Sequence, residues 1–345
     1  MSCVPANVRD LCEARVRSLS SALAEALTVT LPVDLPWRAS FVVTGVGASE
    51  GPARYLALLL GLAGRRAVFT PLSSFLVAQP AALGEVLVVF SHGLSPNARI
   101  ALRRAGEHGM TVLFTGLDPD HAAPDVAPLF VELAMARGRV AIIPPKEEGG
   151  TLVRFVSPAT GMLAGARFAA RLGAPIDVAH LARLPGLAAT APERAAALVA
   201  GLPEDTLHRR VAIVGAGPWL EGTQGIANKW LEGLGAREPP RWDVLQIAHG
   251  PYQQFFDEEM TLLALEHEQI PEERALFDRL ESMLVEPRHA MLRIRTTLPP
   301  PLGLLDHDLV TSALLLRALD ERSKDIGAGI GPDAPLYGLG RERGR

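Results

Sequence analysis

Cysteine is nearly absent, with Cys3 and Cys12 the only two in 345 residues. Two thiols so close together near one end exclude a disulfide framework and a thiolate metal cluster, and they fit a reducing compartment. Charge is sparse as well: 21% of residues are charged and the formal net charge is −4. No basic field exists to hold a nucleic-acid backbone. No apolar run reaches the roughly 18–20 residues of a membrane span. Met1 to Asp10 also lacks the basic start and apolar run of an export signal. The chain is therefore expected to be soluble and cytoplasmic, with small molecules or a second copy of itself as partners.

What is present is core-forming sequence. With 48% hydrophobic residues, the length supports two domains of about 100–200 residues each. The 32 glycines and 28 prolines are spread through the chain as turn punctuation, not gathered in a linker. One local design occurs twice: β-forming residues run into a glycine turn at SFVVTGVGAS (Ser40 to Ser49) and again at RVAIVGAGPW (Arg210 to Trp219). A largely apolar helical segment follows each, so both halves read as strand, anion-cradling turn and helix. Only the first turn carries a hydroxyl, Ser49, and only the second half carries His249-Gly250-Pro251. That asymmetry suggests that one half binds and the other reacts.

Apolar periodicity predicts an N-terminal helix over Val8 to Leu27. In the first half it predicts strands at Phe41 to Thr44, Ala67 to Thr70, Val86 to Phe90, Thr111 to Gly116 and Val140 to Ile143, and helices at Pro52 to Ala63, Ala98 to His108 and Pro158 to Leu172. A helix at Ala189 to Leu202 leads to the second half. There strands are expected at Val211 to Val214, Val244 to Ile247, Thr261 to Leu265 and Met291 to Ile294, and helices at Gly222 to Leu234, Pro271 to Leu284 and Asp306 to Ala318. Continuous Val, Leu and Phe strands alternating with helices argue for parallel sheets covered on both faces.

Such sheets bind ligands at the carboxyl ends of their strands, where the Gly45 to Ser49 turn and the Ser91 to Asn97 loop fall. Ser49, Ser91, Ser95 and Asn97 either donate to an anion or cap the following helices. A dinucleotide reading fails on spacing, because the third glycine of the Gly-x-Gly-x-x-Gly pattern comes one residue late, at Gly51. Glu232 is either a solvated helical carboxylate or a base, and His249 either a turn residue or a proton shuttle.

Taken in order, GVGASEGPARY, SHGLSPNA, ANKWLEGL and HGP resemble the double sugar isomerase (SIS) domain proteins, which include the isomerase half of glucosamine-fructose-6-phosphate aminotransferase and the phosphosugar deglycases and deaminases. The resemblance spans about Phe41 to Leu339. It implies an α/β fold of two flavodoxin-like units, each a parallel sheet with helices on both faces, and a sugar-phosphate site that a second subunit usually completes. By this likeness residues 1–34 form a helical segment, 35–175 the first SIS domain, 176–204 a helical linker, 205–325 the second SIS domain and 326–345 a tail over the site. Gly47, Ser49, Ser91, His92, Ser95 and Asn97 would hold the substrate. Ala227, Lys229 and Glu232 match the family's Ala-x-Lys-x-x-Glu motif. Glu232 would move a proton between adjacent sugar carbons, and His249 would open the ring. Three residues before His249, Gln246 replaces the common acidic residue, and the tail offers Lys324 or Arg341 where the aminotransferase has a lysine. The serine loop carries fewer hydroxyls than the family's usual pattern, with Gly93 at its glycine. The expected activity is that of a phosphosugar or amino-sugar isomerase or deaminase working as a homodimer without metal or organic cofactor. The alternatives are a non-catalytic sugar-phosphate sensor and a specialised-metabolism enzyme acting on an unphosphorylated sugar.

Overall fold

In the computed structural model, which describes residues 8–32, 39–77, 84–145, 148–235 and 237–319, the alternating apolar segments form two parallel sheets. The first contains β1 (Ser40–Thr44), β2 (Ala67–Phe69), β3 (Glu85–Phe90), β4 (Met110–Thr115) and β5 (Arg139–Ile142), in the order β2-β1-β3-β4-β5. The second contains β6 (Arg210–Gly215), β7 (Arg241–Asp243), β8 (Met260–His267) and β9 (His289–Thr296), in the order β7-β6-β8-β9. Every pairing in both sheets is parallel. The second order repeats the first with one strand fewer, so the repeat seen in sequence is a repeat in topology, and both sheets follow the flavodoxin-like order.

Helices connect the strands. Around the first sheet are α2 (Glu50–Leu62), α3 (Ala98–Leu102), α4 (Ala127–Met135), α5 (Val156–Arg171) and α6 (Val178–Leu181). Around the second are α7 (Leu184–Val199), α8 (Gln224–Leu234), α9 (Pro251–Phe255), α10 (Pro271–Met283) and α11 (Gly303–Ala318). The N-terminal helix α1 is Val8–Ala26. The described residues divide into a unit of residues 21–149 and 156–182, which holds the first sheet, and a unit of residues 8–20, 150–155 and 183–319, which holds the second. All residues of β4 and β8 are buried, as two covered faces require. Leu87, Val89 and Leu113 pack with Leu102, Phe130 and Leu133 in the first core, and Val214, Leu262 and Ala264 with Phe255, Phe277 and Leu280 in the second.

The strand expected at Val244 to Ile247 is not formed; β7 lies just before it, at Arg241–Asp243. Val244 and Ile247 enter the second core from a turn, with Gln246 N–H bonded to Asp243 O at 2.9 Å. The helix expected to reach His108 stops at Leu102. Beyond it Arg104 N–H bonds Ala101 O and Glu107 N–H bonds Arg104 O, each at 3.0 Å, a tighter winding around Gly106. The sequence reading had no counterpart for α4, α6 or α9. Residues 320–345, with Lys324 and Arg341, lie outside the described residues, as does Cys3; Cys12 is buried and forms no disulfide among the described residues.

Helix α11 carries Asp306, His307 and Asp308 in succession, all buried. Each has a different partner: Asp306 pairs with Arg194 on α7 at 2.6 Å, His307 with the main-chain oxygen of Glu266 on β8 at 3.2 Å, and Asp308 with Lys229 on α8 at 2.7 Å. Buried polar groups and charges are tolerated only when partnered, and here two ion pairs and a hydrogen bond tie one helix to three neighbouring elements.

Candidate functional site

In the first sheet the strand order reverses between β1 and β3, the switch point at which open α/β sheets receive ligands. The register places Thr44 beside Val89, so the 45–49 turn and the 91–97 loop leave the same edge. Gly45 is required for the turn, because a Cβ there would lie 2.3 Å from the carbonyl oxygen of Ser49. Gly47 takes φ 57°, a left-handed conformation that costs other residues energy. Ser49 then precedes α2 without capping it. The next residue, Glu50, pairs with Arg54 at 2.7 Å, and that guanidinium stands 4.2 Å from the Phe69 ring centroid.

The 91–97 loop is fixed through its main chain. Ser91 N–H bonds Phe114 O at 3.0 Å, while Gly116 N–H and Thr115 Oγ1 both donate to His92 O, at 3.0 and 2.9 Å. The His92 ring occupies the space that a side chain at Gly116 would need. The loop's left-handed residue is Leu94, φ 47°, and not Gly93. Its side chain is fully buried, and Arg99 holds its carbonyl at 3.1 Å; burial in the core stabilises a backbone that a leucine otherwise avoids. Asn97 precedes α3 but does not cap it, and its Oδ1 is buried without a hydrogen-bond partner. Among the described residues, the side chains of Ser49, Ser91 and Ser95 make no hydrogen bond either. The capping explanation therefore fails for all four. Thr44, which the sequence reading did not single out, adds another buried, unpartnered hydroxyl at the end of β1. Cavities of about 450 and 410 Å³ in the same unit are lined by other residues, among them Arg167 and Arg171 in the larger and Arg139 in the smaller.

The corresponding turn of the second sheet carries an aromatic ring in place of a hydroxyl. Gly217 repeats the conformation of Gly47, with φ 69°, and Trp219 takes the place in the turn that Ser49 has in the first. Its ring lies 6.1 Å from that of His267 at the end of β8, edge to face. His267 is held by Glu273, which accepts from its main-chain N–H at 2.8 Å and stands 3.0 Å from Nδ1. Glu266, also buried, meets Arg293 at 2.8 Å and Arg295 at 3.3 Å. The sequence reading missed this cluster, although its sign was legible: Glu266-His267 ends an otherwise apolar strand and Asp306-His307-Asp308 opens a leucine-rich helix.

Glu232 lies on the last turn of α8, half-buried. Burial pushes its carboxyl up to about 7, while the nearby charges of Arg154 and Lys229 pull it back. Arg154 comes from the 150–155 segment, far from Glu232 in sequence. Gly235, at φ 59°, ends the helix. His249 is exposed, on the short turn Ile247–His249, and Gly250 at φ 132° redirects the chain into α9. Among the described residues no hydrogen bond or ion pair joins His249 to Glu232. No group of three or more potential metal ligands occurs among them, and no described helix is long and apolar enough to cross a membrane.

No family model and no curated protein matches the sequence. Solved structures do. Glucosamine-6-phosphate deaminase from Thermotoga maritima matches with a TM-score of 0.64 and 14% identity, over 94% of this chain and 96% of that one. The C-terminal domain of glucosamine-fructose-6-phosphate aminotransferase from Francisella tularensis matches with 0.62 and 11%, over 90% and 97%. Tagatose-6-phosphate ketose/aldose isomerase from Escherichia coli matches with 0.55 and 16%, over 90% and 91%. At these identities the likeness is one of architecture, and it extends over nearly the whole of each chain: this protein has the α/β fold of the phosphosugar isomerase (SIS) proteins.

Proposed function

We propose that this protein is a sugar isomerase or related deaminase that moves a proton between adjacent carbons of its substrate, with Glu232 as the base. The observation that carries this reading is the environment of Glu232: a half-buried carboxyl whose proton affinity burial raises to about 7. A group that binds and releases a proton near neutrality can take it from one carbon and return it to the next through an enediol. His249 serves as the acid and base of ring opening, in a cleft completed by the partner subunit of a homodimer. Gly47, Ser49, Ser91, His92, Ser95 and Asn97 hold the far end of the sugar, with Thr44 beside them. The reaction as written needs neither metal nor organic cofactor, and its place is the cytoplasm. The likeness to a deaminase and a ketose/aldose isomerase supports the reaction class without choosing between its members.

The test is isotope exchange in heavy water with a panel of sugars and their phosphates. Deuterium should enter beside the carbonyl of the right sugar, and Glu232→Gln should abolish that entry while leaving affinity within a few-fold. One observation favours a second reading, a sugar sensor without turnover: His249 stands exposed, and among the described residues no hydrogen bond or ion pair joins it to Glu232. Tight binding of a sugar with no exchange by the intact protein would select the sensor.

A further inference from the structure

Lys229 and Glu232 are three residues apart on α8 and so lie on one side of the helix, one turn apart. Lys229 of the Ala-x-Lys-x-x-Glu motif does not face a site. It is 3% exposed, and its Nζ donates to Asp308 Oδ2 at 2.7 Å and to Ser312 Oγ at 2.9 Å, both on α11. Ser312 in turn donates to the main-chain oxygen of Asp308 at 2.7 Å. Beside Glu232, Gly233 lets the helices approach so closely that a Cβ there would lie 2.8 Å from the Leu315 side chain. An ion pair and a glycine contact, about one turn apart, thus fix the register of α8 on α11 just where Glu232 leaves the helix. Among the described residues, the charges that act on Glu232 are those of Arg154, from the 150–155 segment, and Lys229, on its own helix, and Lys229 in turn meets Asp308 on α11.

We propose that Asp308 and Lys229 are positioning residues for Glu232: their ion pair pins α8 to α11, and Asp308 offsets part of the lysine charge that draws Glu232 toward its carboxylate form. The proposal rests on Glu232 being the base, and it assigns the motif lysine to setting that base, not to proton transfer. Arg154 and Lys229 both draw the carboxyl group toward its charged form, and burial opposes them.

The test is the titration of Glu232 in the full chain, followed by NMR of carboxyl-labelled glutamate and assigned with Glu232→Gln. Asp308→Asn frees the lysine charge and should make Glu232 about tenfold more acidic, a fall of about one pH unit in its midpoint. Lys229→Met removes the attraction and should move the midpoint upward. Lys229→Met/Asp308→Leu, which exchanges a neutral pair for a neutral pair, should return it to within about half a unit of wild type. A pair that serves packing alone would move neither single variant, or both in the same direction. Midpoints in every folded variant within about twofold of wild type in acid dissociation, or a downward move in Lys229→Met, would overturn the proposal. Should one single variant fail to fold, the other with the double variant decides. Because the titration needs no substrate, failure of the isomerase reading would show as absent isotope exchange with these shifts intact.

Discussion

His307 donates from Nε2 to the main-chain oxygen of Glu266 at 3.2 Å, and because a carbonyl can only accept, this bond fixes the tautomer. Nδ1 is left without a proton, buried and unpartnered. Burial, reinforced by the neighbouring His267, depresses the His307 pKa to about 3. In the unfolded chain the same imidazole titrates near 6.5, so between about pH 6.5 and 3 the unfolded state binds the extra proton and stability falls as pH falls. The expected loss approaches about 1.4 kcal/mol per pH unit for this one group. Urea unfolding midpoints between pH 7 and 4 should show the decline, and His307→Gln, which keeps a donor but has no basic nitrogen, should flatten much of it. An unchanged slope in that variant would assign acid sensitivity to other groups.

Glu232 has the opposite linkage. Its folded pKa of about 7 lies above the ordinary carboxylate value of 4.5, so the folded state retains a proton that the unfolded state has released. Stability is unaffected below about pH 4.5 and is reduced as pH rises toward 7. Glu232→Gln should therefore stabilise the protein by about 1–2 kcal/mol at pH 8 and by almost nothing at pH 4. Stability traded for a reactive carboxyl group is the signature of a functional position. Equal stability of variant and wild type at pH 8 would mean that Glu232 is an ordinary surface carboxylate.

The two glycines at the switch point of the first sheet should respond differently to alanine. At Gly45 the new Cβ would meet the Ser49 carbonyl at 2.3 Å, whereas at Gly93 it would meet nothing within 4 Å. Gly45→Ala should cost about 2 kcal/mol or more and displace Ser49, while Gly93→Ala should stay within about 0.5 kcal/mol. Thermal unfolding of the two variants checks this directly. A large loss at Gly93 would instead make it the conformational pivot of the loop.

The repeated strand, glycine turn and helix were legible because continuous apolar strands and positive-φ glycines leave strong local signals. The Val244–Ile247 segment misled for a physical reason: its apolar residues reach the core from a turn, while the true strand β7 is a half-buried three-residue segment that includes Arg241 and Asp243. Helix α4 was missed because Pro128 and a mostly apolar run gave no clear helical start. At the candidate site, Ser49, Ser91, Ser95, Asn97 and Glu232 could be named from motif position, but not their surroundings. One cation near Glu232 comes from Arg154, almost eighty residues earlier, and the lysine of its motif is paired with Asp308, about as far after it. Such long-range pairing leaves no periodic trace. Only the charged residues interrupting β8 and α11 hinted at it, since a charge in an apolar segment must find a partner.

The most direct test of the central claim is incorporation of deuterium from heavy water into a bound sugar. With the sugar that the protein binds most tightly in a thermal-shift panel, deuterium should appear on the carbon beside the carbonyl in the presence of wild-type protein. The rate should rise with pH through a midpoint near 7, as Glu232 loses its proton and becomes a base. Glu232→Gln should bind the same sugar and catalyse no exchange. Exchange that persists at the wild-type rate in Glu232→Gln, or a wild-type protein that binds the sugar and never exchanges it, would contradict the assignment of Glu232 as the proton-transferring base.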